Sequence, residues 1–140
     1  MRNQDVKQVI PSLNELEGLE EMPELARKAI SLVNQKINHP LQVNDIADEI
    51  GITSRHLSRI FKEATGESPR QYFRKLRVNA ARQMILYTNE KIGEIALSVG
   101  FSSASILRSH YIDLFSLSPE EERKKINLFR VNDNSPIPVT

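Results

Sequence analysis

The sequence predicts an all-α fold of two helix-turn-helix units hung on one long shared helix, and three observations predict it. Residues 68–87, SPRQYFRKLRVNAARQMILY, combine a strong helix start with apolar positions spread too widely for a single neighbour. Residues 45–51 recur as 94–100 at an offset of 49, and Leu57, Phe61, Ser68 and Pro69 recur as Leu107, Tyr111, Ser118 and Pro119 at an offset of 50. In both copies a glycine, Gly51 or Gly100, separates two short amphipathic stretches, as a tight left-handed exit between two helices requires.

In chain order, residues 1–21 form a leader or linker, in which the capping-box pattern from Ser12 to Glu15 starts a short helical turn that Gly18 interrupts. The first helix-turn-helix subdomain occupies 22–67. Pro23 suits the first turn of a scaffold helix with an apolar stripe of Leu25, Ala29, Leu32, Val33 and Ile37, ending near residues 38–40. Ile46, Ala47 and Ile50 line the next helix; Thr53 or Ser54 caps the one after, which buries Leu57, Ile60 and Phe61. Helical geometry then throws Arg55, Ser58, Arg59 and Lys62 onto the opposite side.

Gly66 closes that helix. The connecting helix, 68–88, starts with Ser68 as N-cap and Pro69 at the first helical position, where a missing N–H costs nothing. The second subdomain, 89–129, has an outer helix from about Ser103 to Phe115, followed by a helix whose acids precede its bases, with Ile126, Leu128 and Phe129 closing the core. Residues 130–140, with Pro136 and Pro138, are expected as a flexible tail.

Composition narrows the function. The chain has 140 residues, 39% of them hydrophobic, no long apolar run and no cysteine, which excludes disulfides and thiolate metal sites and predicts a cytoplasmic protein that spans no membrane. The first 13 residues lack the apolar core of a signal peptide. A net charge of +1 conceals an asymmetry: residues 54–82 carry eight Lys/Arg against two Asp/Glu, whereas residues 1–53 carry five against nine. Such a run ordinarily solvates helix faces, but beside helix-turn-helix spacing it favours nucleic acid. The connecting helix, about 30 Å long at 1.5 Å per residue, approaches the roughly 34 Å between successive major-groove faces of B-DNA.

The runs GITSRHLSRIFKEATGESPRQYFRKLRVNAARQMIL and KIGEIALSVGFSSAS hold, in order, the elements LxRxFK, TGxSPxxYxxxLR, IxEIAxxxGF and SP. Over about residues 24–125 the chain resembles the DNA-binding domain of AraC/XylS-type bacterial transcription regulators. The resemblance implies a homeodomain-like domain of about seven helices, with two helix-turn-helix units docking in adjacent major grooves of double-stranded DNA. It also implies gene regulation, most often activation through RNA polymerase. RHLSRIFK and GFSSAS are similar to the branch whose effector domain resembles a glutamine amidotransferase. No effector domain fits within these 140 residues, so the chain either acts alone or is the C-terminal piece of a longer regulator.

The resemblance assigns base reading to Arg55, Ser58 and Arg59, with His56 and Lys62 nearer the backbone. Arginine pairs with guanine O6 and N7 through two parallel hydrogen bonds, worth about 1–3 kcal/mol of discrimination; Lys62 and Arg70 suit phosphate. An exposed ion pair from Arg59 to Glu63 is the competing role for Arg59. In the second copy, Ser109 and Ile112 stand where the first has Arg59 and Lys62. This outer helix is therefore expected to contribute shape and weak contacts through Ser103, Ala104, Ser105, Arg108 and Ser109, or to offer Ile112 to another protein. Three isolated histidines and scattered carboxylates assemble no catalytic constellation, metal site or cofactor site, so no enzyme is expected. The alternative from another class is a helical interaction module that touches the transcription machinery with little or no DNA reading.

Overall fold

The structure, a computed structural model, describes residues 22–132. The expected turn at Ser12–Glu15 and the end of the tail, residues 133–140, lie outside them. Seven helices and no strand occupy the described residues: α1 (Glu24–Gln35), α2 (Val43–Ile50), α3 (Ser54–Thr65), α4 (Pro69–Tyr87), α5 (Ile92–Ser98), α6 (Ala104–Phe115) and α7 (Pro119–Asn132). No helix among them is long and apolar enough to cross a membrane.

The shared helix α4 starts as its sequence demands. The Ser68 hydroxyl accepts from Gln71 N at 3.2 Å, the Gln71 side chain returns to Ser68 N at 3.2 Å, and Pro69 sits in the first turn. That reciprocal cap satisfies two amides the helix cannot. Its two halves face different cores. Phe73 and Leu76 close the first, with α1, α2 and α3; Val78, Ala81 and Ile85 build the second, with Ile95, Ala96, Leu107 and Tyr111. Each fully buried large side chain contributes about 1.5–3 kcal/mol. Phe61 fixes α3 on α4 through edge contacts to Tyr72 and Phe73, with ring centroids 5.4 and 5.3 Å apart.

Three sequence expectations are corrected. The innermost residues of α1 are Ala26, Ala29, Ile30 and Val33, and the helix ends at Gln35, so Ile37 packs from the following turn against both cores. Of the expected stripe, Ala29 and Val33 are in the core, and Leu25 and Leu32 pack against it partly buried. Leu128 and Phe129 do not close the second core: they are 54% and 63% exposed. Instead α7 docks through polar groups on its inner side. Arg123 donates to the carbonyls of Ile85 (3.0 Å), Thr88 (3.1 Å) and Glu90 (2.7 Å), capping the C-terminal end of α4. Arg130, expected in the tail, is helical and donates to Leu86 O at 3.0 Å.

Candidate nucleic-acid interface

The turn between α2 and α3 is set by backbone chemistry. Gly51 caps α2 at φ 84°, a left-handed conformation that glycine adopts without penalty. Thr53, rather than Ser54, caps α3, its hydroxyl accepting from His56 N at 3.0 Å. Ser54 is then free to donate to the Asn44 side chain and tie the two helices together. With Leu57, Ile60 and Phe61 buried, Arg55, Ser58, Arg59 and Lys62 stand exposed, and the spacing of Arg55, Arg59 and Lys62 sets them along one stripe of α3. His56 is half-buried beside them.

Arg55 and Arg59 make no ion pair or side-chain hydrogen bond among the described residues, and Arg59 is not joined to Glu63. Lys62 Nζ donates to Gly66 O at 3.1 Å, helping to close α3. Arg70 is exposed in the first turn of α4, near the helix end that favours anions.

The outer helix of the second copy is different chemically. Ser103 is the N-cap of α6 and accepts from Ile106 N at 3.2 Å, so that hydroxyl is committed to the helix. Ala104 is half-buried; Ser105, Ser109 and Ile112 are exposed along one side, with Ile112 at 47%. Arg108 is bound to Glu120 at 2.7 Å. The second copy thus presents hydroxyls and an isoleucine where the first presents arginines and a lysine.

Sequence reasoning missed two groups, one that joins the lobes and one that braces the second. Arg77, buried in α4, donates to the carbonyls of Ile37, His39 (2.9 Å) and Val99 (2.8 Å), joining the end of the α1 turn to the end of α5. Burial lowers its pKa, and three carbonyls rather than a carboxylate satisfy it. Gly100, at φ 95°, makes room for it: a β-carbon there would fall 1.8 Å from Arg77 Nη1. Behind α6, Arg82 grips Glu122 at 2.7 Å, lies 4.5 Å from the Phe115 ring centre and shares Glu122 with the Tyr111 hydroxyl. The arginine's pKa rises through its hydrogen bond with Glu122. Burial would raise that of Glu122, but bonds from Arg82 and Tyr111 outweigh it and hold the carboxyl below its ordinary value. No described group of three or more His, Cys, Asp or Glu residues is arranged to hold a metal.

A family model described as a helix-turn-helix domain matches residues 46–125. The chain is 37% identical over 125 residues to the HTH-type transcriptional regulator ArgR of Pseudomonas aeruginosa, covering 89% of this chain and 37% of that protein. It is 26% identical over 120 residues to the lactose operon transcription activator of Staphylococcus xylosus, covering 78% and 43%. The chain therefore spans less than half the length of these curated relatives. Among solved structures, a transcriptional regulator with an AraC-type DNA-binding domain from Chromobacterium violaceum matches at TM-score 0.68 and 38% identity, over 73% of this chain and 91% of that one. The DNA-binding domain of AdpA, solved with a target DNA, shares the fold at TM-score 0.71 and 21% identity, over 81% of this chain and all of that one.

Proposed function

This chain belongs to the AraC-type family of helix-turn-helix domains, and from that premise we propose that it is the sequence-specific DNA-binding unit of a bacterial transcription regulator. The observation that carries the reading is the exposed, unpaired pair Arg55 and Arg59 on the outer side of α3. Arginines held on a rigid helix, with no carboxylate to satisfy them, suit the paired acceptors of guanine in a major groove. Lys62, next along that stripe, and Arg70, in the first turn of α4, are suited to phosphate. The second unit docks in the adjacent groove through shape and the hydroxyls of Ser105 and Ser109, and α4, 19 residues or about 28 Å long, holds the two units near one helical turn apart.

The relatives named above are transcriptional regulators. In the whole protein the unit acts in the cytoplasm, most simply as an activator that contacts RNA polymerase under the control of an effector domain. Selection of bound duplexes from a random pool, followed by footprinting, tests the assignment. Two protected patches about one turn apart support docking in two grooves. One patch supports a single reader, and failure to enrich any motif favours the protein-interaction module.

A further inference from the structure

Between the lobes lies a cleft of about 700 Å³, walled by residues 40–44 on one side and residues 100–102 on the other, with α4 as its floor. Arg70, Arg74, Arg77 and His110 line it, and no Asp or Glu does. Arg77 is committed to its three carbonyls, but Arg70 and Arg74, one helical turn apart on α4, have no ion-pair partner among the described residues. Its own lining is therefore cationic, while Glu67 and Asp113 lie in the adjoining groove that Arg74 and His110 also line.

His110 distinguishes it further. At an offset of 50 the first copy has Ile60, a core residue, where the second has this histidine. The imidazole lies beside the Phe101 ring, centroids 5.8 Å apart, and neither ring nitrogen has a hydrogen-bond partner among the described residues. Arg74 and Arg70 face it from α4, and Asp113 from its own helix; neither wall of the cleft adds an ionisable side chain. In the adjoining groove Glu67 and Lys75 are paired with each other at 2.8 Å. Burial first, then Arg74 and Arg70 against the opposing pull of Asp113, hold the pKa of His110 below its ordinary value. These surroundings favour the neutral ring over the imidazolium.

We propose that this cleft holds a backbone phosphate of the DNA segment bridging the two reading helices, and that His110 takes up a proton from solvent as the phosphate docks. The inference rests on the DNA-binding reading. A phosphodiester brings one negative charge between the two arginines, which offsets their repulsion of an imidazolium, and the protonated ring supplies a third charge-assisted donor. Because the proton binds with the DNA, affinity rises as pH falls through the interval between the free and the bound pKa of His110.

The test is duplex affinity at fixed salt from about pH 5.5 to 8, the range in which histidine titrates, for the full chain and for His110→Gln and His110→Ile. The native protein is expected to gain up to about tenfold in affinity per unit fall in pH within that interval, and both variants to lose that gain while still binding the selected duplex. Equal pH dependence in native and variant proteins overturns the proposal. Following the His110 ring by NMR separates sources of phosphate: a pKa raised by duplex but not by millimolar inorganic phosphate supports the DNA backbone, and equal effects assign a small-anion site instead, overturning it. Absence of duplex binding at every pH overturns the DNA-binding reading itself, a result distinct from binding without proton uptake.

Discussion

Gly51 and Gly100 occupy the same joint in the two copies, yet the same substitution at each has a different predicted cost. Both have positive φ, 84° and 95°, so alanine at either site pays for a left-handed backbone, about 1–2 kcal/mol. At Gly51 the new methyl meets nothing within 4 Å, and that strain is the whole penalty. At Gly100 it meets Arg77 Nη1 at 1.8 Å and Ile37 O at 2.7 Å. The guanidinium must withdraw, and Nη1 gives up its bonds to Ile37 and Val99. Hydrogen bonds to a charged donor contribute about 1.5–3 kcal/mol each. Allowing for relaxation, Gly100→Ala is expected to cost about 4–5 kcal/mol against about 1–2 kcal/mol for Gly51→Ala. In urea unfolding, with slopes of about 1–3 kcal/mol per M, a 3 kcal/mol gap separates the midpoints by about 1–3 M. Repeating Gly100→Ala in an Arg77→Met background should recover at least about 1 kcal/mol of the penalty, since the two sites are in contact. Equal penalties at the two glycines, or strict additivity with Arg77→Met, would refute the account of Arg77 as the tie between the lobes.

The same repeat offers a stabilising change: Ser116, at φ 68°, holds the left-handed cap that Gly66 holds in the first copy, so Ser116→Gly should raise stability by about 0.5–1 kcal/mol in the same urea assay. Glu122→Ala should lower it by about 2–3 kcal/mol, leaving Arg82 and Tyr111 without their shared acceptor; the figure is reduced because Arg82 remains 31% exposed. Because the carboxyl of Glu122 is held below its ordinary pKa, its contribution is complete above that ordinary value and is lost as pH falls through the lowered one. Acid unfolding followed by circular dichroism should accordingly begin at higher pH when a destabilised background is used, and Glu122→Ala should remove that part of the pH dependence. Replacing Ser109 with arginine and Ile112 with lysine should tighten duplex binding and steepen its salt dependence by about 0.9 in log K per added phosphate contact. An unchanged slope would show that this side of α6 does not face DNA.

Much of this architecture is legible because the relevant signals are local. Ser68 and Pro69 announce α4, Gly51 and Gly66 the ends of α2 and α3, and the buried positions of α3 follow from a 3.6-residue period. The arginine stripe is legible for the same reason: once Leu57, Ile60 and Phe61 are inside, its placement follows. The contacts of Arg77 are not. Its partners Ile37 and Val99 lie 40 and 22 residues away and are backbone carbonyls, which carry no side-chain signature. Likewise, α7 is held by Arg123 and Arg130 on carbonyls of α4 and by Glu122 on Arg82 and Tyr111, polar contacts at long range that left Leu128 and Phe129 as the apparent inward residues. The cleft histidine had a signal, the exchange of Ile60 for His110 at an offset of 50, together with Arg70 and Arg74 one turn apart.

The central claim is that α3 reads bases through Arg55 and Arg59. Its most direct measurement is the affinity of the Arg55→Gln, Arg59→Gln double variant for the selected duplex and for a scrambled one at one salt concentration. The account predicts a loss of about 2–6 kcal/mol on the selected duplex, from two guanine-pairing side chains at about 1–3 kcal/mol each, with a much smaller loss on the scrambled one. An undiminished preference for the selected duplex would contradict it.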